Sequence, residues 1–180
     1  PAPPLPVTLQ RLDFDRLNVH LGERILVVDK LGFSAIWDAE QIVLREFDLN
    51  AYGHTFSLNA AASIGSESKV DASAAWSGEL AEKTAQGSLN VTGPLSELKF
   101  ESLIDAQVSA SVSGTLDAFA DIPKFSLTGA IGPTDFENGL HIESTTIGLA
   151  GTFDSMHTTI ATQVDTPGTD PYALSLTANV

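Results

Sequence analysis

The 180 residues carry 9 Lys and Arg against 23 Asp and Glu, a net charge of −14, with 18 % charged residues and no cysteine. That balance excludes the basic footprint that nucleic-acid phosphates require and electrostatic docking on an anionic membrane surface, though not contact with uncharged acyl chains. It also leaves no disulfide or zinc–thiolate framework, and no apolar run approaches the about 18 residues of a spanning helix.

The opening Pro1-Ala2-Pro3-Pro4, without a Met, and an end in mid-pattern over Tyr172–Val180 read as a fragment of a longer protein. Between them, residues 1–180 read as a single β-rich stretch. Alternation of apolar and polar residues begins at Val7 and slips twice before Leu21. Val7 and Leu9 share one parity, Leu12 and Phe14 the other, and Leu17, Val19 and Leu21 return to the first. A one-residue slip flips every following side chain unless a bulge absorbs it, so breaks are expected at Gln10-Arg11 and Asp15-Arg16. A turn at Gly22-Glu23-Arg24 precedes strands around Ile25–Val28 and Leu31–Trp37. Ile42 and Leu44 slip at Arg45-Glu46 and resume at Phe47, Leu49 and Ala51.

Tyr52-Gly53-His54 is a tight hairpin signal. After it, Phe56, Leu58, Ala60, Ala62 and Ile64 take one face, with Thr55, Ser57, Asn59 and Ser63 on the other. Val70, Ala72, Ala74 and Trp76 repeat this after Gly65-Ser66. Such alternation marks an antiparallel sheet with one solvated side. Leu89 and Val91, then Ala106, Val108, Ala110 and Val112, then Phe125, Leu127, Gly129 and Ile131 continue it. Leu140 and Ile142, Ile147 and Leu149, Ile160 and Val164, and Leu174, Leu176 and Ala178 complete it. A helical reading is open only around Ala35–Val43 and Glu79–Thr84, where caps and a sustained stripe are lacking. The pattern gives an all-β chain of about a dozen short strands.

A recurring mark punctuates these runs. It reads Gly93-Pro94-Leu95-Ser96-Glu97-Leu98, Gly114-Thr115-Leu116-Asp117-Ala118-Phe119 and Gly151-Thr152-Phe153-Asp154-Ser155-Met156, with a looser copy at Gly78-Glu79-Leu80-Ala81-Glu82-Lys83. Glycine is expected to end one strand and the two apolar residues to re-enter the next. The uneven spacing of the marks suits a meander better than a strict solenoid.

The apolar face is diluted by small residues such as Ala60, Ala72, Ala106 and Gly129. A sandwich core built on it packs below native density unless bulky partners oppose it. Two outcomes stay open: a dry core between two sheets, or a sheet that curls and leaves an apolar groove. Chemistry of other kinds is absent. His20, His54, His141 and His157 lack metal spacing and read as polar-face or turn residues. No Gly-x-Ser-x-Gly elbow, dinucleotide fingerprint or phosphate loop occurs. Asp165-Thr166-Pro167-Gly168-Thr169-Asp170 lacks the acidic alternation of a calcium loop and reads as a plain turn. Asn90-Val91-Thr92 fits a glycosylation sequon. The chain reads as non-enzymatic, without metal or cofactor.

The entry Leu9-Gln10-Arg11-Leu12-Asp13-Phe14-Asp15-Arg16-Leu17-Asn18-Val19, the run Leu31-Gly32-Phe33-Ser34-Ala35-Ile36-Trp37 and the phrase Asn90-Val91-Thr92-Gly93-Pro94-Leu95-Ser96-Glu97-Leu98 resemble strand patterns of the TamB and AsmA-like proteins, over most of the chain. The resemblance implies an elongated antiparallel sheet curled into an open, taco-shaped groove with an apolar interior and little or no helix. It implies a place in the periplasm as part of an inner-membrane-anchored protein of a diderm bacterium. The implied role is in moving phospholipid between membranes and in outer-membrane biogenesis, with a TamA-like barrel partner of the full-length protein and phospholipid acyl chains as ligand. The expected groove lining is Phe47, Leu49, Phe56, Leu58, Ile64, Val70, Leu89, Val91, Val108, Val112, Phe125, Leu127, Ile131, Leu140, Ile142, Ile147, Leu149, Ile160, Val164, Leu174 and Leu176. The alternatives are a chaperone-like surface that takes client strands by β-augmentation and a structural sandwich or stalk domain.

Overall fold

The computed structural model describes residues 5–21, 24–65, 68–80, 83–135, 140–152, 154–165 and 172–179. Among them the chain is all-β and antiparallel, with thirteen strands and no helix. It forms two compact units, Pro1–Pro94 and Leu95–Val180.

In the first unit six strands follow one another as a meander: β1 (Val7–Leu21), β2 (Arg24–Trp37), β3 (Gln41–Ala51), β4 (His54–Ser63), β5 (Lys69–Leu80) and β6 (Lys83–Pro94). Each strand pairs with the one before it in sequence, so every connection is a hairpin. The second unit runs β7 (Leu98–Asp105), β8 (Ala110–Asp117), β9 (Lys124–Ile131), β11 (His141–Thr152), β12 (Met156–Asp165) and β13 (Tyr172–Asn179). The two-residue β10 (Thr134–Asp135) pairs with the start of β11. Within neither unit does a described pairing bring the last strand back to the first, so neither sheet closes into a barrel.

Two of the three expected parity slips appear as register shifts, while at Asp15-Arg16 the β1–β2 register runs on unchanged from Asp15–Lys30 to Leu17–Val28. The β1–β2 register shifts between Leu9 and Leu12, and the β3–β4 register shifts between Leu44 and Phe47. Arg16 and Glu46 both adopt left-handed backbone, with φ of 60° and 51°. At Tyr52-Gly53 both turn residues have positive φ, 54° and 75°. That is the type I′ geometry whose twist matches a hairpin, and it pairs Ala51 with His54.

Several expectations change. The two strands anticipated over 25–37 are one continuous strand of 14 residues. Val108 lies in the connection before β8, because the chain re-enters the sheet only at Ala110. Gly93 and Gly151, with φ of 118° and 142°, sit one residue inside the ends of β6 and β11, as a terminating glycine should. Gly114 instead lies within β8. A Cβ there would collide with the Ser126 carbonyl, Leu127 and Phe100, so this glycine serves close packing rather than a turn. The chain turns only after Asp117, whose carboxylate accepts the N–H groups of Phe119 and Ala120. The loop of the third mark at Phe153, the Ala81-Glu82 of the looser copy, Ser66 of the expected Gly65-Ser66 turn, the Gly22-Glu23 turn and residues 166–170 lie outside the described residues.

Among the described residues strands make substantial contact only with strands they pair with, so no described second layer covers either sheet from within its own unit. The surface accounts agree. The chain exposes 12370 Å², against roughly 8,400 Å² for a compact chain of this mass. Among described hydrophobic residues only Val28, Val43, Ala85 and Val164 are buried, and no large side chain is fully enclosed.

Candidate functional site

Cross-strand partners share a face of the sheet, so the registers show what each face carries. In the first unit four adjoining ladders run across all six strands. Phe14, Leu31, Leu49, Phe56, Trp76 and Gly87 form one. Leu12, Phe33, Phe47, Leu58, Ala74 and Leu89 form the next. Rings of Phe33 and Phe47 lie 6.4 Å apart, and Phe47 meets Phe56 edge-on at 6.0 Å. The third ladder is Leu9, Ala35, Leu44, Ala60, Ala72 and Val91; the fourth is Val7, Trp37, Ile42, Ala62, Val70 and Gly93. None of these residues is charged, and the two indoles are the only hydrogen-bonding side chains. The opposite face carries Asp13, Asp48, Ser57 and Ser88 in one row and Asp15, Lys30, Asn50, Thr55, Ser77 and Gln86 in another.

The second unit repeats the scheme with more hydroxyls. Leu98, Leu116, Phe125 and Met156 share a ladder, as do Phe100, Leu127, Leu149, Thr158 and Ala178. Val112, Ile147, Ile160 and Leu176 flank Gly129 in the next. Ile104, Ala110, Ile131, Thr145, Thr162 and Leu174 follow, and Ile142, Val164 and Tyr172 continue beyond a bulge at residues 142–144. Thr145 donates to Thr162 (2.8 Å), which donates to the Ser144 carbonyl (3.2 Å). The hydroxyls on this face are thus tied to one another and to the bulged backbone.

Most of the anticipated lining therefore lies on these two apolar faces. Phe47, Leu49, Phe56, Leu58, Val70, Leu89 and Val91 do so in the first unit. Val112, Phe125, Leu127, Ile131, Ile142, Ile147, Leu149, Ile160, Val164, Leu174 and Leu176 do so in the second. Three residues do not. Ile64 follows β4 and donates its N–H to the Glu40 carbonyl, Val108 is in a connection, and Leu140 immediately precedes β11. The same faces include residues the pattern left unassigned, among them Leu12, Phe14, Leu31, Phe33, Trp37 and Trp76. Their i, i+2 spacing is visible once the bulges at 10–11 and 45–46 reset the parity.

His54 is the instructive omission. It shares the parity of Phe56 and Leu58, one residue beyond the last β4–β5 pair at Thr55 and Ser77, and its imidazole occupies the space that a Cβ at Gly78 would fill. It thus ends the apolar face rather than decorating the polar one. Trp76 likewise lies over Gly87, its cross-strand partner on β6. A hollow of about 240 Å³ at this end is lined by Leu49, Ala51, His54, Thr55, Phe56, Trp76 and Ser77. At the far end of the ladders a hollow of about 400 Å³ is lined by residues that include Ala62, Lys69, Val70, Asp71 and Gly93. His141 meets Asp135 at 2.6 Å and His157 meets Asn179 at 2.6 Å, both exposed contacts between strands; the side chain of His20 lies outside the described set. Among the described residues no three His, Asp or Glu side chains are grouped to hold a metal ion.

Comparison with protein-family models, with curated proteins and with solved structures finds no match for this chain.

Proposed function

We propose that the chain is a non-enzymatic segment of a TamB/AsmA-like protein of the periplasm, and that its apolar faces hold the acyl chains of phospholipids in transit between two membranes. One observation carries the reading: in the first unit, four adjoining ladders without a single charge lie on a sheet that nothing in that unit covers. Six strands and four rows span about 24 Å by about 20 Å, roughly 500 Å², more than the few hundred Å² of apolar patch that a soluble surface normally leaves open. Each CH₂ of a tail laid on such a face leaves water at a gain of about 0.8 kcal/mol, and no buried polar group has to be desolvated. Dilution by Ala and Gly then has a purpose, since small residues leave room for a guest where a dry core would demand bulk.

A photo-crosslinking side chain placed in turn at residues 56, 57, 58 and 59 tests this. Phe56 and Leu58 lie in the ladders, and Ser57 and Asn59 point the other way. Lipid adducts at 56 and 58 alone are expected; adducts at none of the four, or equally at all, overturn the reading.

A second reading, capture of client strands by β-augmentation, is favoured by β13. Its segment Tyr172–Asn179 carries no charge, and among the described residues it pairs on one side only. Backbone pairing is insensitive to substitutions on the apolar face, which separates this activity from lipid holding.

A further inference from the structure

We infer that the row of His54 and Trp76 is a head-group subsite, which receives the acceptor oxygens of a phospholipid whose tails lie along the ladders of the first unit. The inference rests on the acyl-holding reading and adds to it a direction and a recognition chemistry.

On this face the hydrogen-bonding side chains are few: His54 and Trp76 gather at one end, and the Trp37 indole stands alone at the other. His54 and Trp76 are diagonal neighbours: Phe56 pairs with Trp76, and the His54 ring lies over Gly78, two residues from Trp76. Such neighbours lie about 7–8 Å apart, the reach of one phosphate or glycerol ester. Each ring lies over a glycine of the adjacent strand, Gly78 or Gly87, and any other residue at those positions would displace it. Neither the Trp76 indole N–H nor the His54 imidazole has a hydrogen-bond partner among the described residues, and Trp76 is 37 % exposed. A donor held on an apolar surface without an acceptor gains most from a ligand that brings one. The hollow here adds apolar walls at Leu49, Ala51 and Phe56, so an amphiphile finds both of its halves served.

The opposite end differs in kind. Its hollow contains Lys69 beside Asp71, a charge already accompanied by its opposite, and Lys69 has interactions of its own. From His54 to Ala62 along β4 the face extends about 27 Å, longer than the about 15 Å that one leaflet's tails occupy. A lipid anchored at His54 and Trp76 therefore lays its whole tail on uncharged ladders and ends near Leu58 and Ala60, short of the far edge.

The test uses the whole chain with phosphatidylethanolamine vesicles carrying a trace of one of two photoreactive lipids, labelled in the head group or at the acyl terminus. Head-group adducts near His54 and Trp76 with tail adducts near Leu58 and Ala60 are expected; reversed or uniform labelling overturns the subsite while leaving lipid holding intact. No adduct from either probe removes the acyl-holding reading itself. His54→Leu and Trp76→Phe keep volume and remove the hydrogen bonds. Each should weaken phospholipid retention about threefold to tenfold more than it weakens retention of hexadecane. Equal losses for both ligands mean that only ring packing matters and sink the subsite. Protection of the site by inorganic phosphate alone at millimolar concentration would assign it to a free anion instead.

Discussion

The guanidinium of Arg11 lies 3.0 Å from the carboxylate of Glu46, and so joins the irregularity in β1 to the one in β3 across the strand between them. It also grips Asp13 through Nε at 2.9 Å and approaches Asp48 at 4.0 Å. The crossing is possible because the intervening residue is Gly32, where a Cβ would collide with Arg11 and Asp13. The Glu46 N–H, released from the ladder by the bulge, is accepted by Asn59 Oδ1 at 3.0 Å, and Ser34 Oγ donates to the Arg45 carbonyl. β1 and β3 thus change parity at one level, and β2 between them stays registered to both.

Gly32→Val fills the space under Arg11. Overpacking of this kind costs about 1–3 kcal/mol, and denaturant unfolding should report it as a lower midpoint. Arg11→Ala should have a much smaller effect that fades as salt rises, because its partners are solvent-exposed and screened. A larger loss from Arg11→Ala than from Gly32→Val would contradict the packing account.

β2 extends past the end of β3, and the hydroxyl of Tyr52 covers the gap. It accepts the Val27 N–H at 3.1 Å and donates to the Ile25 carbonyl at 3.3 Å. Tyr52→Phe keeps the ring and the turn. It should cost about 1 kcal/mol and speed hydrogen exchange at Val27 while leaving the paired amides of β3 unchanged.

Asp38 closes the β2–β3 turn, its carboxylate accepting the N–H groups of Glu40 and Gln41, both at 2.8 Å. The Glu40 hydrogen bond first, then that of Gln41, holds this carboxyl below its ordinary value. The Arg11 hydrogen bond does the same for Asp13. A carboxyl depressed on folding stabilises above the ordinary carboxylate range near pH 4, and that contribution is lost as pH falls through the lowered value. Unfolding followed from pH 6 to pH 2 should show the loss only below about pH 4. Asp38→Asn should flatten part of that slope.

Leu58→Arg and Leu127→Asp each place a charge in the middle of an apolar ladder. Desolvating that charge opposes a bound tail, so retained lipid should fall about tenfold or more, while circular dichroism keeps its β signature. Unchanged lipid occupancy in both variants contradicts the proposed function.

How far the sequence is legible depends on the kind of signal. The slips at Gln10-Arg11 and Arg45-Glu46 are readable because a period of two makes any insertion visible as a change of parity; at Asp15-Arg16 the register holds, and only the left-handed backbone of Arg16 marks the place. Gly114 misleads because glycine has two uses, relief of backbone strain and relief of crowding, and residue order alone does not separate them. Val108 follows the alternation yet lies off the sheet, since pairing with β9 begins at Ala110. His54 is hidden by its type: a polar residue next to a turn reads as solvated, and only the position of its ring over Gly78 shows which side it occupies.

In the first unit each described strand pairs only with the strands next to it in the chain. No long loop has to close before a contact forms, so order can grow one hairpin at a time, and each further hairpin adds about 10 Å of width to the apolar face. Width is therefore set by the number of hairpins and the chemistry of the face by their parity. Evolution or a designer can change the first without rewriting the second.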